Sequence, residues 1–131
     1  MIALDSDFII DLFRKKENAV RKYEKIKDQR LVATQINFFE VLSGTYSKKV
    51  LAQNEENNTL NFFDNLTIFS LNRESILRAA KISGNLILDG FTIQPGDCLI
   101  AGILQAEGCN KIITRNESHF SRIKGLRVIG Y

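Results

Sequence analysis

Short apolar runs alternate with longer segments of helical periodicity along the whole 131-residue chain. Five runs have the length and composition of buried strands, and they span residues 2–4, 31–33, 66–71, 111–114 and 126–129. Between most of them, apolar residues recur at three- and four-residue spacing, which is typical of helices that pack one face on a sheet. This alternation predicts an α/β fold, in which a mostly parallel five-stranded sheet carries helices on both faces.

Glycine and proline bound several of the predicted helices. Gly44 is expected to end the helix of QINFFEVLSG, and a further helix is expected over about residues 74–88. Pro95, the one proline, precedes DCLIAGILQAEG, which predicts a buried helix that Gly108 ends. Because no linker or low-complexity tract divides the chain, residues 1–131 are expected to form a single domain.

Composition excludes several classes of protein. With 44% hydrophobic and 25% charged residues, the chain is typical of globular domains, and its length permits a core without disulfides or structural metal.

Cys98 and Cys109 lie at the two ends of one predicted helix, about 16 Å apart, which is too far for a disulfide, and no ligands for zinc stand beside them. Both thiols are expected to be buried and reduced. Since no segment resembles a signal peptide or a membrane span, we expect a cytoplasmic protein.

The net charge of +3 is unevenly distributed. Residues 1–13 carry three acids and no base, whereas residues 14–30 carry eight bases and three acids. A solvated helix face with pairs at helical spacing is the simpler interpretation of this basic run, and a phosphate-attracting surface beside an acidic pocket is the alternative.

Acidic residues follow or flank the predicted strands at one edge of the sheet, where ligands bind in open parallel sheets. Asp5 follows the first strand, and Asp97 opens the helix before the fourth, although both positions also suit a helix N-cap. Glu40 lies in INFFEVL, where apolar residues on most sides predict a largely buried helix. A buried carboxylate must be protonated, paired with a base or bound to a cation.

Three acids at one edge would repel one another and raise each other's pKa unless a divalent cation kept them ionised. Mg²⁺ suits such a cluster because it prefers oxygen ligands, takes one or two carboxylates directly and retains several waters. Such a site can activate water for an in-line displacement at phosphorus. Asp5, Glu40 and Asp97 are therefore the candidate metal ligands.

The segments IALDSDFIIDLF, INFFEVLSG, PGDCLIAGILQAEG and IITRNESHFSRIKGLRVI resemble, in this order, the successive blocks of PIN-domain proteins, specifically the VapC-type toxins of toxin–antitoxin pairs. The resemblance spans essentially the whole chain, although residues 45–75 contribute only their length. It implies a three-layer α/β/α fold and an Mg²⁺- or Mn²⁺-dependent endoribonuclease, with Asp5, Glu40 and Asp97 on the family's metal-binding positions. It further implies a homodimer and a small antitoxin that docks near the acidic groove. The helices around residues 36–63 are the candidate docking surface for this antitoxin.

Further residues match site positions of the family. Asn116 matches a catalytic position that is often aspartate, and Asp7 supplies an acid where relatives usually carry a small polar residue. Ser6 and Thr114 match polar positions at the edge of the site, although such side chains also bond local backbone. Arg115 is a candidate contact for substrate phosphate, although most surface arginines are simply solvated.

Other chemistry-bearing residues receive structural interpretations. His119, the single histidine, is not expected to act as a general base, because relatives of this kind manage without one. Five phenylalanines are expected to pack in the core rather than to stack on RNA bases; they are Phe38, Phe39, Phe62, Phe63 and Phe69.

Two alternatives to a nuclease toxin remain, and a third is excluded. The first is a PIN nuclease for RNA processing that has no antitoxin, and the second is a PIN-like RNA-binding module made inactive by the amide at Asn116. The third, a response-regulator receiver, requires a phosphate-accepting aspartate after a mid-chain strand, and residues 50–58 contain none.

Overall fold

The computed structural model describes residues 1–50 and 54–131. The strands are β1 Ile2–Leu4, β2 Leu31–Thr34, β3 Thr67–Phe69, β4 Lys111–Ile113 and β5 Arg127–Ile129. The helices are α1 Ser6–Phe13, α2 Glu17–Ile26, α3 Gln35–Tyr46, α4 Glu55–Asp64, α5 Arg73–Leu88, α6 Pro95–Ala106 and α7 Glu117–Phe120. The strands pair in the order β3-β2-β1-β4-β5, and every pair is parallel. The predicted five-stranded α/β fold is confirmed, with a sheet that is wholly rather than mostly parallel.

Two buried apolar clusters lie on opposite faces of the sheet. Successive residues of β1 alternate between them, since Ala3 belongs to the cluster under α5 and α6 and Leu4 to the cluster under α1, α3 and α4. Ile103 of α6 and Phe8 of α1, both fully buried, are among the largest side chains of the two clusters. The predicted α/β/α layering is therefore confirmed.

Caps and surface pairs explain where several helices begin. Thr34 and Asn37 form a reciprocal capping box at the start of α3, which fixes the turn out of β2. On α2, an exposed pair joins Lys27 Nζ to Glu24 Oε2 at 2.6 Å, as the solvated-helix interpretation of the basic run predicts.

Two elements end two residues away from their predicted ends, whereas the bounds of the other strands differ by at most one residue. α3 continues past Gly44 to Tyr46, because a helical glycine costs only about 1 kcal/mol and Thr45 Oγ1 reaches Thr59 Oγ1 of α4 at 3.2 Å. The strand predicted over residues 66–71 is confined to Thr67–Phe69. Gly108, by contrast, follows the end of α6 with a φ of 71°, as expected of a glycine that stops a helix.

Cys98 and Cys109 are both free and buried, as predicted. In the described parts of the chain, no helix combines the length and apolar character that crossing a bilayer requires.

The five phenylalanines do not all lie in the core. Phe63 and Phe69 are buried, and Phe38 and Phe62 are half-buried. Phe39 is 69% exposed, so the prediction that it packs in the core is wrong. The reason is that only one side of α3 meets the rest of the protein, through Asn37, Val41 and Thr45 at four-residue spacing.

Candidate active site

Asp5 lies at the carboxyl end of the central strand β1 and is held from three directions. As the N-cap of α1, its Oδ1 accepts from the backbone N–H of Ser6 at 2.9 Å. Asn37 Nδ2 on α3 donates to the same oxygen at 3.2 Å, and Thr114 Oγ1, after β4, donates to Oδ2 at 2.7 Å. Capping is thus one of several contacts that this carboxyl group makes.

The pKa of Asp5 is raised to about 7. Burial of the 6%-exposed residue is the largest cause, followed by repulsion from Asp7 and, more weakly, from Asp97. Hydrogen bonds from Thr114 and Ser6 lower the pKa but do not offset the burial. A bound cation would stabilise the ionised form of such a buried acid and would keep it ionised at neutral pH.

Glu40, on α3, is joined to Asp5 through a serine. Ser6 Oγ donates to Glu40 Oε1 at 3.1 Å and accepts from Asn37 Nδ2 at 3.0 Å. Reduced hydration raises the pKa of Glu40, the bond from Ser6 opposes the rise, and repulsion from Asp97 and Asp7 adds to it. The residue as a whole is exposed, so the prediction of a largely buried helix around it is wrong.

Asp97 is the third residue of α6, but it does not cap that helix. Gln94 is the N-cap residue and Pro95 the first helical residue. The Asp97 side chain, 14% exposed, instead reaches the segment after β4, where Oδ2 lies 3.3 Å from Asn116 Nδ2 and 2.9 Å from His119 Nδ1. The capping interpretation of Asp97 is therefore wrong, and its contacts are tertiary.

Asp7 and Arg115 meet at the edge of the site. The backbone N–H of Arg115 donates to Asp7 Oδ2 at 3.0 Å, and Thr114 Oγ1 lies 3.4 Å from the same oxygen. Burial raises the pKa of Asp7, against the lowering effect of Arg115. The Arg115 guanidinium pairs with Asp11 Oδ2 at 2.8 Å while its side chain stays 57% exposed. Arg115, the predicted contact for substrate phosphate, is thus already paired with an acid of the protein.

Three residues of this region received no site role from the sequence. Asn37 donates to both Asp5 and Ser6, and His119 contacts Asp97. The third is Asp11, whose carboxylate contacts the side chains of Arg115, Lys16 and Tyr131. A signal existed for Asn37, because an asparagine three residues after a threonine that ends a strand suits a capping box. Arg115 and Tyr131, which contact Asp11, and Asp97, which contacts His119, come from distant parts of the chain, so these contacts leave no local signal.

The donor set fits a hard divalent cation bound partly through water. Within residues 1–50 and 54–131, no three His, Cys, Asp or Glu side chains form a group that could hold a metal ion by themselves. Asp5, Glu40 and Asp97 nevertheless bring carboxylate oxygens within electrostatic reach, since Asp97 raises the pKa of both others. Mg²⁺ takes one or two carboxylates directly and fills its remaining positions with water, so a complete protein cage is not required.

Residues 2–126 match the family model described as the PIN domain. The chain belongs to the PIN-domain family. The resemblance given by the four sequence segments is thereby confirmed. A comparison with curated proteins gave no match.

Solved structures share the fold of this PIN-domain protein. A chain of VapBC2 from Rickettsia felis, crystallised with a promoter DNA fragment, gives a TM-score of 0.83 at 21% identity, covering 100% of this chain and 99% of that one. VapBC-1 from nontypeable Haemophilus influenzae gives 0.81 at 23% identity, covering 99% and 98%. VapC20 from Mycobacterium tuberculosis, described as a sarcin-ricin loop cleaving toxin, gives 0.70 at 9% identity, covering 97% and 99%.

Proposed function

We propose that this PIN-domain protein is a metal-dependent endoribonuclease and the toxin of a type II toxin–antitoxin pair. The observation that carries the proposal is a continuous hydrogen-bond network that links Asp5, Glu40 and Asp97 near the carboxyl ends of the parallel strands. The linking residues are Ser6, Asn37, Thr114 and Asn116. The raised pKa values of Asp5 and Glu40 mean that their ionised forms are costly to the fold, and such shifted acids are typical of functional sites.

Asp5, Glu40 and Asp97 would hold Mg²⁺ or Mn²⁺, directly or through water. When bound, the ion would supply activation of water and stabilisation of the charge that develops at phosphorus. Asn37 and Thr114 fix both oxygens of Asp5, and Ser6 fixes Glu40 relative to it. Asn116 and Asp7 complete the polar shell.

Exposed bases beside the acids support a polyanionic substrate. Lys16 Nζ lies 2.9 Å from Asp11 Oδ1, and Arg115 pairs with the other oxygen of the same carboxylate. Both basic side chains remain about half exposed, at 44% and 57%. Because two bases share the one negative charge of Asp11, a net positive charge remains for RNA phosphates at the rim of the acidic cluster.

The toxin assignment rests on fold likeness to VapBC proteins and on an exposed apolar surface. On α3, Phe39 and Tyr46 are 69% and 52% exposed, and their seven-residue spacing places them on the same face of the helix, two turns apart. We propose this part of the 36–63 surface as the antitoxin docking site; residues 51–53 lie outside the described residues. Homodimer formation and a cytoplasmic location complete the proposal.

The decisive experiment is an RNA cleavage assay with and without chelator. Wild type should cleave only with Mg²⁺ or Mn²⁺, and Asp5→Asn, Glu40→Gln and Asp97→Asn should each lose most of that activity while remaining folded. Asp64→Asn, at the exposed end of α4, is the matched control and should retain activity. Cleavage unaffected by chelator would contradict the proposal.

The same assay separates the alternatives. A binding module would retain RNA in a gel-shift assay but cleave none of it in any metal. A processing nuclease would cleave RNA, yet no product of a neighbouring short reading frame would inhibit it. Growth arrest on expression, relieved by co-expression of such a product, would support the toxin assignment.

A further inference from the structure

His119 and Asn116 converge on a single oxygen of a candidate metal ligand. His119 Nδ1 lies 2.9 Å and Asn116 Nδ2 3.3 Å from Oδ2 of Asp97. Asp97 belongs to α6, whereas both partners belong to the segment of α7 and its N-cap. The imidazole, 31% exposed, and the 14%-exposed Asp97 side chain are partly shielded from water, which strengthens the contact.

Oδ2 of Asp97 can accept from both His119 and Asn116 in the tautomer of His119 that carries hydrogen on Nδ1. An ionised carboxylate can only accept, so in this tautomer the 2.9 Å contact is a hydrogen bond that Nδ1 of His119 donates to Oδ2. In the same tautomer Nδ1 does not accept from Asn116 Nδ2, 2.8 Å away, and Asn116 Nδ2 donates to Oδ2 of Asp97 at 3.3 Å. Oδ2 thus receives two donors, and Oδ1 is left for other ligands.

We propose that His119, assisted by Asn116, is a positioning residue that holds Oδ2 of Asp97 and so presents Oδ1 to the metal ion. This inference rests on the proposed metal-dependent function, and it gives the single histidine a role other than that of a general base. Hydrogen-bond partners of metal ligands orient the ligand, and their removal typically costs about 10- to 100-fold in metal affinity.

A test follows from the geometry of the side chains. The amide nitrogen of asparagine can take the place of Nδ1 of histidine, whereas the longer glutamine side chain carries its amide toward the place of Nε2. His119→Asn should therefore keep the donor to Asp97, and His119→Gln, like His119→Ala, should lose it. The full chain is titrated with Mn²⁺ alone by calorimetry at neutral pH, and each variant is also melted in chelator.

His119→Ala and His119→Gln should bind Mn²⁺ about 10- to 100-fold more weakly than wild type, and His119→Asn within a few-fold of it. A merely structural role would change the melting temperature without separating the Asn and Gln variants in affinity. Wild-type affinity in His119→Ala would overturn the inference. If that variant does not fold, equal affinities of His119→Asn and His119→Gln would overturn it.

Failure of the proposed function has a different signature. Absence of Mn²⁺ binding by wild type overturns the proposed function and this inference together. Binding that Asp97→Asn abolishes but His119→Ala leaves unchanged overturns only the role of His119.

Discussion

At the scale of single residues, Asp5 shows how neutral hydrogen-bond donors can hold a buried acid. Its two oxygens receive donors from Ser6, Asn37 and Thr114, all of them neutral. Neutral donors satisfy the hydrogen-bonding capacity of the carboxyl group but do not supply the charge that would hold its pKa low. The cost of ionising Asp5 therefore remains in the metal-free protein.

This cost predicts a pH-dependent stability. Because the folded-state pKa of about 7 lies above the ordinary 3.8, the folded protein binds more protons than the unfolded chain, and stability falls as pH rises from about 4 to 7. Asp5→Asn retains a neutral cap and should be more stable than wild type in chelator. Its advantage should grow by roughly 2 to 3 kcal/mol between pH 5 and 8, as measured by urea unfolding. An advantage that does not change with pH would contradict the raised pKa of Asp5.

At the scale of elements, the close approach of α5 and α6 positions Asp97. A Cβ added at Gly102 would lie 2.5 Å from the backbone oxygen of Ser75 and 2.7 Å from the Cβ of Ala79. The absence of a side chain at Gly102 thus lets the two helices approach on this face of the sheet. α6 in turn carries Asp97 on its first turn.

Gly102→Ala should therefore force the two helices apart and destabilise the protein by about 1 to 3 kcal/mol. Gly84→Ala is the matched control, since it also adds one methyl group to a helix but meets nothing within 4 Å. That control should stabilise the protein by about 0.5 to 1 kcal/mol through helix propensity. Chemical denaturation measures both, and equal effects of the two substitutions would refute the packing argument.

At the scale of the whole molecule, Asp11 links the two ends of the chain. Its side chain, 1% exposed, contacts Lys16 Nζ and Arg115 Nη1, and Tyr131 Oη donates to it at 2.9 Å across 120 positions. Burial by itself raises the pKa of Asp11, but Lys16, Tyr131 and Arg115 outweigh it and hold the pKa below its ordinary value. Asp11 and Asp5 therefore have opposite pKa shifts.

Asp11→Asn should destabilise the protein by about 1 to 3 kcal/mol at neutral pH, because it removes hydrogen bonds to a charged group. A lowered folded-state pKa adds stability that is present above the unfolded pKa and is lost as pH falls through the folded value. The difference between wild type and variant should thus be complete above about pH 5 and shrink below about pH 4. Thermal melts across this range measure it, and a difference that persists unchanged in acid would contradict the prediction.

The sequence by itself determined the order and type of most elements and the residues at the strand ends. Apolar periodicity is local, so β1 and α6 could be predicted from a few neighbouring residues. The parallel sheet followed from the alternation, and the parallel sheet in turn predicted which edge would collect Asp5 and Asp97.

Only the tertiary structure decided which side chains meet at that edge and which stay in water. Phe39 and Glu40 are exposed because α3 is packed on one side only, a fact that apolar composition does not encode. The contact of His119 with Asp97 spans 22 positions, and that of Arg115 with Asp11 spans 104. Such contacts depend on how the helices pack against the sheet. The packing free energy that selects this arrangement comes from interactions throughout the core, so no local sequence pattern predicts it.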